Sequence, residues 1–308
     1  MKVVVLSGGG GGARFVRGLA GVLAPDELTV IGNVGDDEEI LGLHVSPDLD
    51  GLLYALTGLL DEERGWGRGG ETWNALEAAA SWGGEDWFRL GDRDLGLHLV
   101  RTRALRDGRV LSEITERLAR RAGITTQLLP ATDDRLRTYV VTPAGRFSFQ
   151  EWYVRRAHRD EVDAVEYDGA GEARAAPGLI AALTAADAIV LAPSNPYLST
   201  GPILAVAEVR AAVERRAVPS VAVSPLVGGA AVTGPLARML TRMAGGTTPV
   251  HVTRCHEGLI DTLVIDEADA SAAAPTATHV RFVAARTLMR DGEAERRLAE
   301  AVLEAACG

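Results

Sequence analysis

The chain has 308 residues, of which 47% are hydrophobic and 24% charged. These are ordinary proportions for a globular protein of one large or two average domains. A formal charge of −10 argues against a broad electrostatic grip on nucleic acid. Lys2 is the only lysine, so Schiff-base chemistry or a lysine-bearing phosphate loop has no other residue to use.

Cys255 and Cys307 are the only cysteines and have no metal-ligand spacing, which points to a reducing, cytoplasmic setting without disulfides or structural zinc. The apolar start Val3 to Leu6 is too short for a signal peptide. The longest uncharged stretch, Ala217 to Ala237, is broken by Pro219, Pro225 and Pro235. The chain therefore reads as soluble, with no membrane partner.

In chain order, Val3 to Leu6 reads as a strand buried on both faces. Five glycines follow (8–12), then Ala13 to Leu19 at helical spacing, then a second strand from Leu28 to Ile31. This is a βαβ opening. Between Ser46 and Leu129 the strand signal fades. Helices are predicted around Leu52 to Leu56, with Asp50 as N-cap, over Thr72 to Ser81 and over Ser112 to Ala122.

Strands return at Thr138 to Val141, Arg146 to Phe149 and Ala188 to Leu191. Pro202 opens a helix expected to run to Arg216. Further strands are predicted at Val218 to Val223, Val250 to Thr253, Thr262 to Ile265 and Val280 to Val283, and a closing helix at Ala294 to Ala305. The fold expected is α/β: a doubly wound, mainly parallel Rossmann-like sheet. Residues 1–45 and 130–308 would form a core that binds a nucleotide diphosphate, and 46–129 a mostly helical insertion.

Ligands of such sheets sit beyond the carboxyl ends of strands, and three of these ends are unusual. Gly8, Gly9, Gly10, Gly11 and Gly12 let backbone amides and a helix N-terminus approach a phosphate, though a tight turn without ligand has the same composition. After the second strand, Asn33 stands where a dehydrogenase places its ribose-binding acid, followed by Asp36 and Asp37. Paired carboxylates beside a phosphate site suggest a divalent metal held jointly by protein and substrate; a solvated acidic turn is the alternative. The third end presents Ser194 and Asn195 between Pro193 and Pro196, as a preorganised ligand loop or a rigid turn.

Two further segments stand out. Ser46-Pro47-Asp48-Leu49-Asp50 places carboxylates two apart at a helix start, and capping explains only one of them. Trp87-Phe88-Arg89-Leu90-Gly91-Asp92-Arg93-Asp94 reads as a ligand segment or a surface salt-bridge cluster.

Together these stretches resemble the CofD-type (FbiA) 2-phospholactate transferases of coenzyme F-420 biosynthesis. The matching segments are Ser7 to Arg14, Asn33 to Asp37, Ser46 to Asp50, Trp66-Gly67, Glu71 to Trp73, Leu90 to Asp94 with His98, Leu129-Pro130, Phe149 to Trp152, Ala192 to Pro196 and Gly201 to Leu204. They run in family order over nearly the whole chain.

The resemblance implies a Mg²⁺-dependent transfer. A phospho-three-carbon-acid group (2-phospholactate or phosphoenolpyruvate) would pass from a guanosine diphospho-linked donor to the ribityl hydroxyl of the deazaflavin alcohol Fo, and GMP would leave. It places Asp50 and Arg89 at the Fo site and implies a homodimer. On that basis the glycine turn, Asn33, Ser194 and Asn195 would hold the donor, Asp36 and Asp50 would be catalytic, and Asp36, Asp37 and Asp50 would hold Mg²⁺. Non-catalytic relatives that bind nucleotide sugars are the alternative. Asp48 and Asp50, the Arg89 segment and Phe149 to Trp152 favour the transferase.

Overall fold

The structure, a computed structural model, describes residues 1–273 and 279–308. Its centre is a seven-stranded sheet whose strands, numbered here among themselves, are β1 (Val3–Ser7), β2 (Leu28–Gly32), β3 (Gln127–Pro130), β4 (Ala188–Leu191), β5 (Ser220–Val223), β6 (Thr262–Asp266) and β7 (Arg281–Ala285). Their spatial order is 3-2-1-4-5-6-7. Every neighbouring pair is parallel, so the α/β, doubly wound reading holds.

Continuous apolar runs make these strands because both faces of the sheet are covered. Val4, Leu6, Ile31, Ile189 and Leu191 enter one core, beneath the helices of the second half of the chain. Val3, Val5, Val30, Val190 and Val223 enter the other, as a two-residue side-chain period requires. The second core is closed by α1 (Gly9–Ala20), α2 (Pro47–Thr57) and the C-terminal helix Gly292–Cys307. Gly18 lets α1 and that helix meet, since a Cβ there would strike the Glu295 backbone.

The insertion carries α2, α3 (Asn74–Ser81), α4 (Asp94–Arg106) and α5 (Leu111–Arg121). Of these helices, α4 is an addition to the sequence reading. The first three residues of β3 fall within what the sequence assigned to this insertion. No helix among the described residues is long and apolar enough to cross a membrane.

Four local expectations differ. Asp50 is not an N-cap: α2 begins at Pro47, after Ser46. Thr138 to Val141 and Arg146 to Phe149 do not continue the parallel sheet; Arg137–Thr142, Gly145–Ser148 and Ala164–Asp168 form a separate antiparallel sheet. Val250 to Thr253 is helical, inside Pro249–Cys255, where Pro249 at the first helical position starts a helix its β-branched residues disfavour. The helix expected from Pro202 to Arg216 is two, Thr200–Ala205 and Ala207–Glu214, broken by Val206 in extended conformation.

Candidate functional site

Strand order reverses between β1 and β4, so a crevice opens beyond their carboxyl ends. The glycine turn follows β1, and the Pro193–Ser199 loop follows β4. Gly9 has φ +69°, a left-handed conformation that favours glycine. A Cβ on Gly10 would stand 2.6 Å from the Gly65 carbonyl oxygen, and one on Gly11 2.8 Å from that of Pro193. A Cβ on Gly8 would collide with the Asp48 carboxylate. The turn is thus walled by three segments, two of them through their backbone and the third through the Asp48 carboxylate. The first amides of α1 have no acceptor within the helix; that of Gly9 donates to Asp48 Oδ1 at 2.7 Å.

Asn33, fully buried, organises the acids. Its Nδ2 donates to Asp48 Oδ2 (2.9 Å), Asp36 Oδ1 (3.3 Å) and the Leu198 carbonyl (3.2 Å), and its Oδ1 accepts from the Gly35 amide (2.7 Å). Asp36 and Asp37 are 5% and 1% exposed, which excludes a solvated acidic turn. Burial, then the neighbouring Asp48 and Asp37 carboxylates, push the Asp36 carboxyl well above the ordinary range. Burial likewise raises Asp48 to about 6, against the lowering effect of its bonds from Asn33 and Gly9. Asp37 Oδ2 accepts from Ser46 Oγ (3.0 Å) and lies 2.9 Å from His44 Nε2, while its buried Oδ1 has no hydrogen-bond partner.

These acids would suit a cation. Like charges share one desolvated site, and one carboxylate oxygen there lacks a partner. No three His, Cys, Asp or Glu side chains among the described residues are grouped to hold a metal by themselves. Mg²⁺ commonly binds through one or two carboxylates with substrate phosphates and waters completing its shell.

Asp50 lies elsewhere. Arg101, 2% exposed, engages both its oxygens, with Nη1 at 3.0 Å from Oδ2 and Nη2 closing on Oδ1. His98 sits between Asp50 (3.7 Å) and Asp94 (3.2 Å), and the Tyr54 hydroxyl donates to Asp94. Two residues along an α-helix is about 200° of rotation, so Asp48 and Asp50 face opposite ways. That spacing was readable in the sequence, but only the bond from the Gly9 amide marks Asp48 as the acid of the glycine turn.

Arg89 stacks on Trp73 at 4.5 Å from the ring centroid, and Arg64 lies on the same ring at 4.8 Å. Arg64 precedes Gly65, whose carbonyl meets the glycine turn. Arg89 therefore reaches the site's edge through Trp73 and the 61–70 segment. Its neighbours in sequence are structural: Asp92 accepts from Thr72 Oγ1 and the Asn74 and Ala75 amides at the start of α3. Asn195 Oδ1 accepts from the Tyr197 and Leu198 amides and so shapes its own loop, and Ser194 Oγ donates to the Ala192 carbonyl.

Beyond Asp36 and Asp37 a cleft of about 320 Å³ opens toward the antiparallel sheet, lined in part by Glu38, Arg137, Thr138 and Phe149. Neither Arg137 nor Arg101 carries a motif signal: each is one arginine among many, and only the fold brings it to an acid.

Sheet order, glycine turn and buried acids define a Rossmann-like α/β protein with a candidate phosphate-and-cation site at its switch point. Residues 3–304 match the family described as 2-phospho-L-lactate transferase CofD. The chain belongs to that family. It is 42% identical to a phosphoenolpyruvate transferase of Streptomyces griseus, over 99% of this chain and 98% of the relative. It is 39% identical to one of Mycolicibacterium smegmatis, over 99% of each. A crystal structure of a UPF0052 family member from Bacillus halodurans shares the fold, with a TM-score of 0.63 and 16% identity over 98% of this chain and 99% of that one.

Proposed function

We propose that this transferase moves a phosphorylated three-carbon acid from a guanosine diphospho-linked donor to the ribityl hydroxyl of Fo, releasing GMP. The observation that carries the reading is the junction of glycine turn, Asn33 and Asp36, Asp37 and Asp48 at the switch point of a chain in this family. The α1 amides would hold the diphosphate. Asn33 fixes Asp36 and Asp48 against each other, and these two carboxylates would hold Mg²⁺ together with the donor's phosphates. When bound, Mg²⁺ supplies neutralisation of the charge on the diphosphate and on the transferring phosphoryl group.

The Fo hydroxyl attacks the phosphorus that bears the acid, the bond to the GMP phosphate breaks, and a phosphodiester forms. The hydroxyl proton passes to a carboxylate of this cluster. Asp48, against the glycine turn, is better placed for that task than Asp50, which is tied to Arg101. Asp50 and Arg89 are left to shape the acceptor side, through Arg101 and Trp73 respectively.

The test is GMP release that requires both Fo and Mg²⁺. Asp36→Asn and Asp48→Asn are expected to lower it by about 10²-fold or more while the protein stays folded. Near-normal turnover in both variants would contradict the assignment.

A further inference from the structure

Arg137 has a position the reaction as described does not use. It is half-buried on the wall of the cleft beyond Asp36, and its Nη1 donates to the Leu136 carbonyl at 2.8 Å. Its charge is felt by Asp36, but among the described residues no carboxylate forms an ion pair with it, whereas its neighbour Arg135 is paired with Asp168 at 2.5 Å. Thr138 follows it in the strand Arg137–Thr142, so its buried side chain faces away from the guanidinium and leaves Arg137 as the cation of this wall. Asp36 is shared by both compartments: Oδ1 accepts from Asn33 on the glycine-turn side, and the residue lines the cleft.

We propose that this cleft receives the carboxylate of the transferred three-carbon acid, with Arg137 as its cationic partner. This rests on the transferase reading above. A phosphoryl group held at Asp36 carries its acid on the ester oxygen, so the carboxylate stands only a few bonds from the acid cluster. The chemistry of the walls selects a single negative charge. One guanidinium can pair with a carboxylate, while Glu38 and Asp37 beside it oppose a doubly charged phosphate. The ribityl chain of Fo has no anion and would leave the guanidinium without its partner.

The experiment measures equilibrium binding, with Mg²⁺, of guanosine diphosphate, of guanosine diphosphate esterified with lactate, and of the ethyl ester that lacks the carboxylate. The wild-type protein is expected to prefer the lactate ester over the ethyl ester by about tenfold or more, the size of a charge-assisted hydrogen bond. Arg137→Gln should abolish that preference and Arg137→Lys should keep part of it, both with unchanged affinity for guanosine diphosphate and unchanged KM for Fo.

Three results overturn the proposal. One is an undiminished preference in Arg137→Gln, and another is no preference in the wild type. The third is a raised KM for Fo with intact donor preference, which would give the cleft to the acceptor. If the wild type nevertheless turns over Fo, only this inference falls. If it binds no guanosine diphosphate and shows no turnover, the transferase reading falls with it.

Discussion

Asp48 and Asp50 differ by two positions and by everything that matters chemically. Asp48 accepts from a helix N-terminal amide and from Asn33, and its carboxyl is raised by burial to about 6. Asp50 is neutralised by Arg101. A cation bound at Asp36 and Asp48 must displace any proton there, so Mg²⁺-dependent donor binding should weaken as pH falls through 6 and should release protons near that pH. Titration calorimetry in buffers of different ionisation enthalpy measures that release; none at pH 6 would contradict the assignment. The nearness of Asp36 and Asp37 to the glycine turn was legible in the sequence, from two acids at the end of the neighbouring strand. The role of Asn33 as an organiser of Asp36 and Asp48 was not, because its three donor contacts come from segments 15 and 165 residues away as well as from its own turn.

Elements fix the site through a few close approaches. Glycines 10 and 11 bring α1 against the 61–70 segment and the Pro193 loop, so Gly11→Ala should lower donor affinity by about tenfold or more by forcing the walls apart. Binding of guanosine diphosphate measures it, and unchanged affinity would mean the turn does not touch the donor. The buried Asp50–Arg101 pair clips α2 to α4. Arg101→Ala should cost about 3–5 kcal/mol, since it strands a buried carboxylate. Replacing both partners by leucine should restore most of that in a denaturant titration while leaving acceptor-side turnover impaired.

The helix α4 that carries Arg101 has leucines and a valine on several sides and charged residues between them, so no amphipathic stripe announces it. The strand Gln127–Pro130 is only four residues long and ends in proline, so its local signal is weak. Conversely, the β-branched run at Val250 to Thr253 imitates a strand, and only Pro249 gives the helix away.

At the scale of the molecule, the sheet was the most legible part, since strands buried on both faces leave uninterrupted apolar runs in the sequence. The separate antiparallel sheet was not. Its strands look like the others locally, and nothing in their composition says which partners they pair with. One global property is also testable. His256 is buried, and desolvation lowers its pKa from 6.5 to about 4. Between these values the unfolded chain binds a proton that the folded chain refuses. This contribution is therefore intact above pH 6.5 and lost as pH falls toward 4, by about 3 kcal/mol in all. Thermal melts of wild type and His256→Leu should diverge over that window, and parallel pH profiles would contradict the burial of an uncharged imidazole.

The reading of the whole protein as a transferase of a phosphorylated three-carbon acid meets its most direct test in the mass of its product. Purified protein, Fo and Mg²⁺ are offered the lactyl, enolpyruvyl and glyceryl guanosine diphosphates separately. The prediction is stoichiometric GMP and a heavier Fo whose added mass equals one phospho-acid group. A folded protein that binds guanosine diphosphate yet leaves Fo unchanged with every donor would contradict it.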